Sequence, residues 1–149
     1  MEKCQQIEHE YTRSKRILIV EDDPILGDLL LEALQEEAYE ALHVLSGETA
    51  RSILQTDAAA LVLLDYHLPG MNGLELTDWL RSREERRHIP VILMSANVPP
   101  EASGKQYLST LRKPFELETL LQSVAELLAS GTKGGLGTEK AFSHNHGAQ

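Results

Sequence analysis

Candidate reactive residues cluster in three stretches: Glu21-Asp22-Asp23, Asp65 with Pro69-Gly70-Met71-Asn72-Gly73, and Lys113-Pro114. Each stands where an apolar run ends. Ile17–Val20 leads into the acidic trio, Leu61–Leu64 into Asp65, and the stretch around Leu108 and Leu111 into Lys113. In an open parallel sheet, ligands bind beyond the carboxyl ends of the strands, where the strand order reverses. Carboxylates and an ammonium from distant positions would then share one pocket, a charge pattern suited to a divalent cation and a phosphoryl group. Mg²⁺ takes hard oxygen ligands, usually one or two carboxylates plus a phosphate, and Glu21, Asp22 and Asp65 could supply the carboxylates. As a nucleophile, Asp65 could form an acyl phosphate. Lys113 would pair with one phosphoryl oxygen and Ser95 would donate a hydrogen bond to another, which is most of what phosphoryl transfer needs from a protein.

Such a pocket requires alternating strands and helices, and the chain supplies them from Arg16 onward. Strands are expected at Arg16–Val20, Ala41–Val44, Ala60–Asp65, Pro90–Ser95 and, more weakly, Leu108–Arg112. Most are rich in Ile, Leu or Val with few charges, as in strands covered on both faces. Helices are expected from Pro24 to about Glu37, with Asp23 as N-cap and proline in the first turn. Others run from Gly47 to about Gln55, from Gly73 to about Ser82, and from Glu116 to Ala129. The last carries Leu117, Leu120, Leu121, Val124, Leu127 and Leu128 at i, i+3, i+4, i+7 spacing, and Gly131 is expected to end it. This alternation implies βαβ units and a parallel sheet, an α/β fold. Between Ser95 and Lys113, Pro99-Pro100 and Gly104 leave room for little more than a short helix. The expected organisation is a flexible arm over 1–14, one domain over 15–130, and a disordered glycine-rich tail over 131–149.

Composition narrows the function. Net charge is -9 over 149 residues, and residues 17–130 carry eight basic against nineteen acidic groups. A body that acidic repels nucleic acid backbones and anionic membranes, so neither is expected as a partner. Cys4 is the single cysteine, which permits no intrachain disulfide and fits a reducing compartment. No apolar run approaches the ~20 residues that span a bilayer, and the N-terminal residues lack a signal-peptide core. The expectation is a soluble, cytoplasmic protein.

The chain resembles the response-regulator receiver domain of bacterial two-component signalling. The resemblance lies in Ile17-Leu18-Ile19-Val20-Glu21-Asp22-Asp23-Pro24, Leu63-Leu64-Asp65-Tyr66-His67-Leu68-Pro69-Gly70-Met71-Asn72-Gly73, Leu93-Met94-Ser95-Ala96 and Arg112-Lys113-Pro114-Phe115. It covers roughly residues 15–130. It implies a flavodoxin-like, doubly wound sheet of five parallel strands in the order 2-1-3-4-5, with five helices. It implies Asp65 as phosphoacceptor, Asp22 as direct ligand to Mg²⁺ or Mn²⁺, Glu21 acting mainly through water, and the His67 backbone carbonyl as a further ligand. Ser95 and Lys113 would read the phosphoryl group, and Ala96 would leave room for it. The implied partners are a histidine kinase or histidine phosphotransfer protein and a downstream protein target. The apolar final helix could also pair two copies as a homodimer.

Two departures stand out. The family usually places an aromatic residue three before the lysine, where this chain has Thr110; Tyr107 lies six before it. The Ser95-to-Lys113 segment is shorter than usual by about one helical turn, ~4 residues, so the fourth helix should be shortened. A receiver-like scaffold that binds partners without phosphorylation is the alternative reading. A haloacid-dehalogenase-type phosphatase fits less well, because its Asp-x-Asp pair would need an acid where His67 stands. No Gly-x-Gly-x-x-Gly follows the first strand, which counts against a dinucleotide-binding fold. Arg81, Arg83, Arg86 and Arg87 read as complements to a helix C-terminus and a solvated loop. On the first helix, Ile25, Leu26, Leu29, Leu30, Leu31 and Leu34 exceed what one core stripe needs, and the surplus could dock a partner helix.

Overall fold

The computed structural model describes residues 16–133. Its strands are β1 (Arg16–Val20), β2 (Glu40–Val44), β3 (Leu61–Asp65), β4 (Val91–Ser95) and β5 (Leu108–Arg112). Its helices are α1 (Pro24–Glu36), α2 (Gly47–Thr56), α3 (Gly73–Ser82) and α4 (Leu117–Lys133), with a single 3₁₀ turn at Pro100–Ala102. The strands form one parallel sheet in the order β2-β1-β3-β4-β5. The chain goes outward from β1 to β2 and then crosses back to β3, so the order reverses between β1 and β3, and that is where a crevice opens in such sheets.

The central strands are buried along almost their whole length. Every residue of β3 and β4 is buried, and β1 is buried from Ile17 to Val20. Side chains alternate across a strand. Leu18, Val20, Val62, Leu64, Val91 and Leu93 therefore join one cluster with Ala50 and Leu54 of α2 and Leu76 and Leu80 of α3. Ile17, Ile19, Leu61, Leu63 and Ile92 point to the opposite face, the side on which α1 packs against β1 and β2 and buries Leu30, Ala33 and Leu34. Burying one such side chain contributes about 1.5–3 kcal/mol. The edge strand β2 is buried only at Val44.

Helix starts are set by local chemistry. The Asp23 carboxylate accepts from the Ile25 amide at 3.0 Å, with Pro24 at the first helical position. This is the cap role expected for Asp23. Ser46 caps α2. Asn72 and Glu75 form a reciprocal capping box on α3, both bonds 2.9 Å.

Two expectations need correction. The helix between β4 and β5 is shortened, as expected, but down to one 3₁₀ turn, so the described residues hold four α-helices where the resemblance implies five. Pro99 and Pro100 bar an earlier start, and the backbone leaves the helical region at Ser103, with ψ of 131°, and at Gly104, with φ of 83°, so the turn cannot extend. The final helix runs through Gly131 to Lys133; one glycine costs about 1 kcal/mol against alanine, which a long, leucine-rich helix absorbs. The expected tail therefore loses its first three residues to α4, and the rest of it, like the arm over 1–14, lies outside the described residues. The unit formed by the final segment is α4, with Leu120, Val124 and Leu127 buried.

Candidate functional site

Five of the candidate residues follow or end a strand. Glu21 and Asp22 come directly after β1, Asp65 closes β3, Ser95 closes β4 and Lys113 follows β5. Because the strands are parallel, all five lie at the same edge of the sheet. The carboxylate oxygens of Glu21, Asp22 and Asp65 lie within 4.8 Å of one another. Glu21 and Asp65 are buried and Asp22 is exposed.

One ammonium serves two of these acids. Lys113 Nζ lies 3.2 Å from Glu21 Oε1 and 3.4 Å from Asp65 Oδ1. The Lys113 amide donates to the Ser95 carbonyl at 2.9 Å, which fixes the end of β5 beside β4. Burial works against the Lys113 charge, but Asp65 and Glu21 outweigh it and hold its pKa above the ordinary 10.5. Burial pushes the Glu21 carboxyl above its ordinary 4.5, helped by the Asp65 charge; the Asp23 amide and Lys113 pull the other way. Three carboxylates and one ammonium leave two negative charges without a counterpart in a small space. That donor set, all hard oxygen with excess charge of two, fits Mg²⁺ or Mn²⁺.

Asp65 is anchored from its own loop. Its Oδ1 accepts from the His67 amide at 3.3 Å, so the backbone carrying the His67 carbonyl is tied to the carboxylate. The His67 side chain is exposed. Gly73, which opens α3, lies so close that a Cβ there would come within 2.6 Å of Leu93 Cδ1 and 2.9 Å of the Asp65 carbonyl oxygen; only glycine lets α3 begin against β3. Ser95 Oγ donates to the Asn97 carbonyl at 2.7 Å and accepts from its amide at 3.1 Å. Ala96 is exposed beside it.

Further contacts complete the site. The Asp23 amide donates to Glu21 Oε2 at 3.1 Å. The His43 ring lies 2.8 Å from the Glu21 carbonyl oxygen. Glu48, in the first turn of α2, accepts from the Met71 amide at 3.0 Å and tethers the loop that follows Asp65. The His43 and Glu48 bonds escape sequence reading because each spans more than twenty residues; a visible trace is a glycine, Gly27, inside α1. Tyr107 is elsewhere: it directly precedes β5 at the opposite edge of the sheet, flanked by Arg81 and His88.

Comparison with known proteins agrees with this fold. The family model of the response regulator receiver domain matches residues 17–125. Over 83 residues the chain is 37% identical to the polar-differentiation response regulator DivK of Brucella ovis, covering 56% of this chain and 68% of that protein. It is similar to the solved signal receiver domain of a signal transduction histidine kinase from Syntrophus aciditrophicus, with a TM-score of 0.72, 30% identity, and coverage of 78% of this chain and 91% of that one. The receiver domain of a sensor histidine kinase from Pseudomonas aeruginosa, solved with a magnesium ion coordinated in its active-site cleft, gives a TM-score of 0.70 at 25% identity, covering 78% of this chain and 98% of that one. The chain belongs to the response regulator receiver domain family of two-component signalling. Among the described residues no helix is long and apolar enough to cross a membrane.

Proposed function

We propose that this receiver accepts a phosphoryl group on Asp65 from a histidine kinase or histidine phosphotransfer protein and signals through contact with a downstream protein, as a phosphoacceptor rather than an ordinary enzyme. The observation that carries the reading is the placement of Asp65: buried at the end of β3, ion-paired to Lys113, with Glu21 and Asp22 oxygens within 4.8 Å. Glu21, Asp22, Asp65 and the His67 carbonyl would hold Mg²⁺ or Mn²⁺, which supplies positive charge against the phosphoryl oxygens. An Asp65 carboxylate oxygen forms the new O–P bond as the N–P bond of the partner's phosphohistidine breaks, and the electron pair returns to the imidazole nitrogen. Lys113 moves from its ion pair to a phosphoryl oxygen, and the Ser95 hydroxyl turns from the Asn97 carbonyl to another. Ile25 and Leu29 on α1 are 79% and 50% exposed, and this apolar surface beside the pocket suits a partner helix.

Thr110 and the missing helix between β4 and β5 favour a second reading, a scaffold that binds partners without phosphorylation. Incubation with a small acyl-phosphate or phosphoramidate donor, with Mg²⁺ or with chelator, separates the two by intact mass. Phosphorylation predicts the gain of one phosphoryl group with Mg²⁺ and none with chelator. No gain under either condition supports the scaffold and refutes the phosphoacceptor.

A further inference from the structure

Gly27 lies inside α1, where glycine destabilises a helix relative to alanine. Its backbone is ordinary helix, and its amide donates to the Asp23 carbonyl at 2.9 Å. Nothing in its own conformation calls for glycine. The reason lies across on β2, because a Cβ at Gly27 would overlap the imidazole of His43. The absent side chain forms a notch, and the half-buried His43 ring occupies it. From there Nε2 lies 2.8 Å from the backbone carbonyl oxygen of Glu21. A carbonyl oxygen can only accept, so His43 Nε2 carries the proton and donates.

That carbonyl belongs to the peptide that joins Glu21 to Asp22. Glu21 is held at its other polar atoms as well: its amide donates to the Val44 carbonyl at 3.1 Å, Oε2 accepts from the Asp23 amide and Oε1 from Lys113. Among the described residues, the Asp22 carboxylate has no hydrogen bond or ion pair. Its direction depends on the backbone that bears it, so the group that sets this peptide plane aims the freest acid of the site.

We propose that His43, seated in the notch left by Gly27, is a positioning residue for the acidic site: its bond to the Glu21 carbonyl orients the Glu21–Asp22 peptide and so presents the Asp22 carboxylate to a divalent cation. The proposal rests on the reading of this site as a divalent-cation site. Groups that orient a ligand without touching the metal are commonly worth about tenfold or more in affinity.

The test is calorimetric titration of Mg²⁺ and Mn²⁺ into the full chain and into His43→Leu, His43→Gln and Gly27→Ala, with melting of each metal-free protein alongside. His43→Leu removes the donor, and Gly27→Ala displaces the ring without changing its chemistry. Both should weaken binding about tenfold. His43→Gln carries an amide N–H at the same distance along its side chain and should restore wild-type affinity. A purely structural role would lower melting temperatures and leave the affinity of the folded protein unchanged. Long-range ¹H–¹⁵N correlation of the wild-type ring should show the proton on Nε2. A folded His43→Leu or Gly27→Ala variant with wild-type affinity, or a ring protonated on Nδ1 alone, overturns the inference and leaves the site reading intact. A wild type that binds neither Mg²⁺ nor Mn²⁺ overturns the site reading, and the inference with it.

Discussion

The Lys113 ammonium touches Glu21 and Asp65, while among the described residues Asp22 has no ion pair, and this division ranks the acids. Both Glu21 oxygens are already committed, one to Lys113 and one to the Asp23 amide. Asp22 is exposed, and in the proposed site it would contact the cation directly. In metal titrations Glu21→Ala should therefore lose about tenfold in affinity, and Asp22→Ala about tenfold more, a step of about 1.4 kcal/mol; equal or reversed losses would contradict the ranking. Lys113 makes a second prediction through its raised pKa. A cation whose pKa is raised on folding contributes its stability fully below the unfolded value and loses it as pH rises through the folded one. In denaturation midpoints measured against pH, any gap between wild type and Lys113→Met should hold steady below 10.5 and drift against the wild type above it. A gap with no such drift would mean that the two ion pairs do not favour the charged lysine.

The least conventional element is the β4–β5 connection. With only a 3₁₀ turn at Pro100–Ala102, the link is held from α3. Arg81 donates to the carbonyls of Gln106, Ile89 and Tyr107 at 3.0, 3.1 and 2.9 Å, and Lys105 pairs with Asp78. Burial pulls the Arg81 guanidinium down to about 10, against Tyr107 and Asp78, so it remains charged at neutral pH. Few regular backbone bonds protect Asn97–Gln106, and its amides should exchange faster than those of β1 and β3; protection equal to those strands would contradict this. Tyr107, with φ of 60° and its ring between Arg81 and His88, is set at the edge of the sheet away from Lys113. Tyr107→Ala should therefore leave intact any change in self-association or partner binding produced by beryllium fluoride; loss of that change with the fold preserved would make Tyr107 the switch. The strands buried on both faces were legible because burial itself demands uninterrupted Ile, Leu and Val, and the helix starts because Asp23-Pro24 is a local signal. The extent of the last helix was not, since whether Gly131 stops it depends on the stability of what precedes it. The three-carbonyl role of Arg81 was not legible either, because its partners lie up to twenty-six residues away.

At the scale of the whole molecule, the acidic balance and the receiver fold point the same way. A chain of net charge -9 gathers three carboxylates at its strand ends, at a cost that a divalent cation would offset. Mg²⁺ at a hundredfold above its dissociation constant should stabilise the fold by about 2.7 kcal/mol. The family motifs made the acids, Asp65 and Lys113 legible as one site because each closes a strand, and parallel strands bring such ends to one edge; the supporting bonds from His43 and Glu48 were not, because they depend on how β2 and α2 lie against that edge. The central claim, that Asp65 accepts the phosphoryl group, is tested most directly by intact mass of wild type and Asp65→Asn after incubation with a small phosphodonor and Mg²⁺. One added phosphoryl group is expected on the wild type and none on Asp65→Asn. An undiminished mass gain in Asp65→Asn would contradict it.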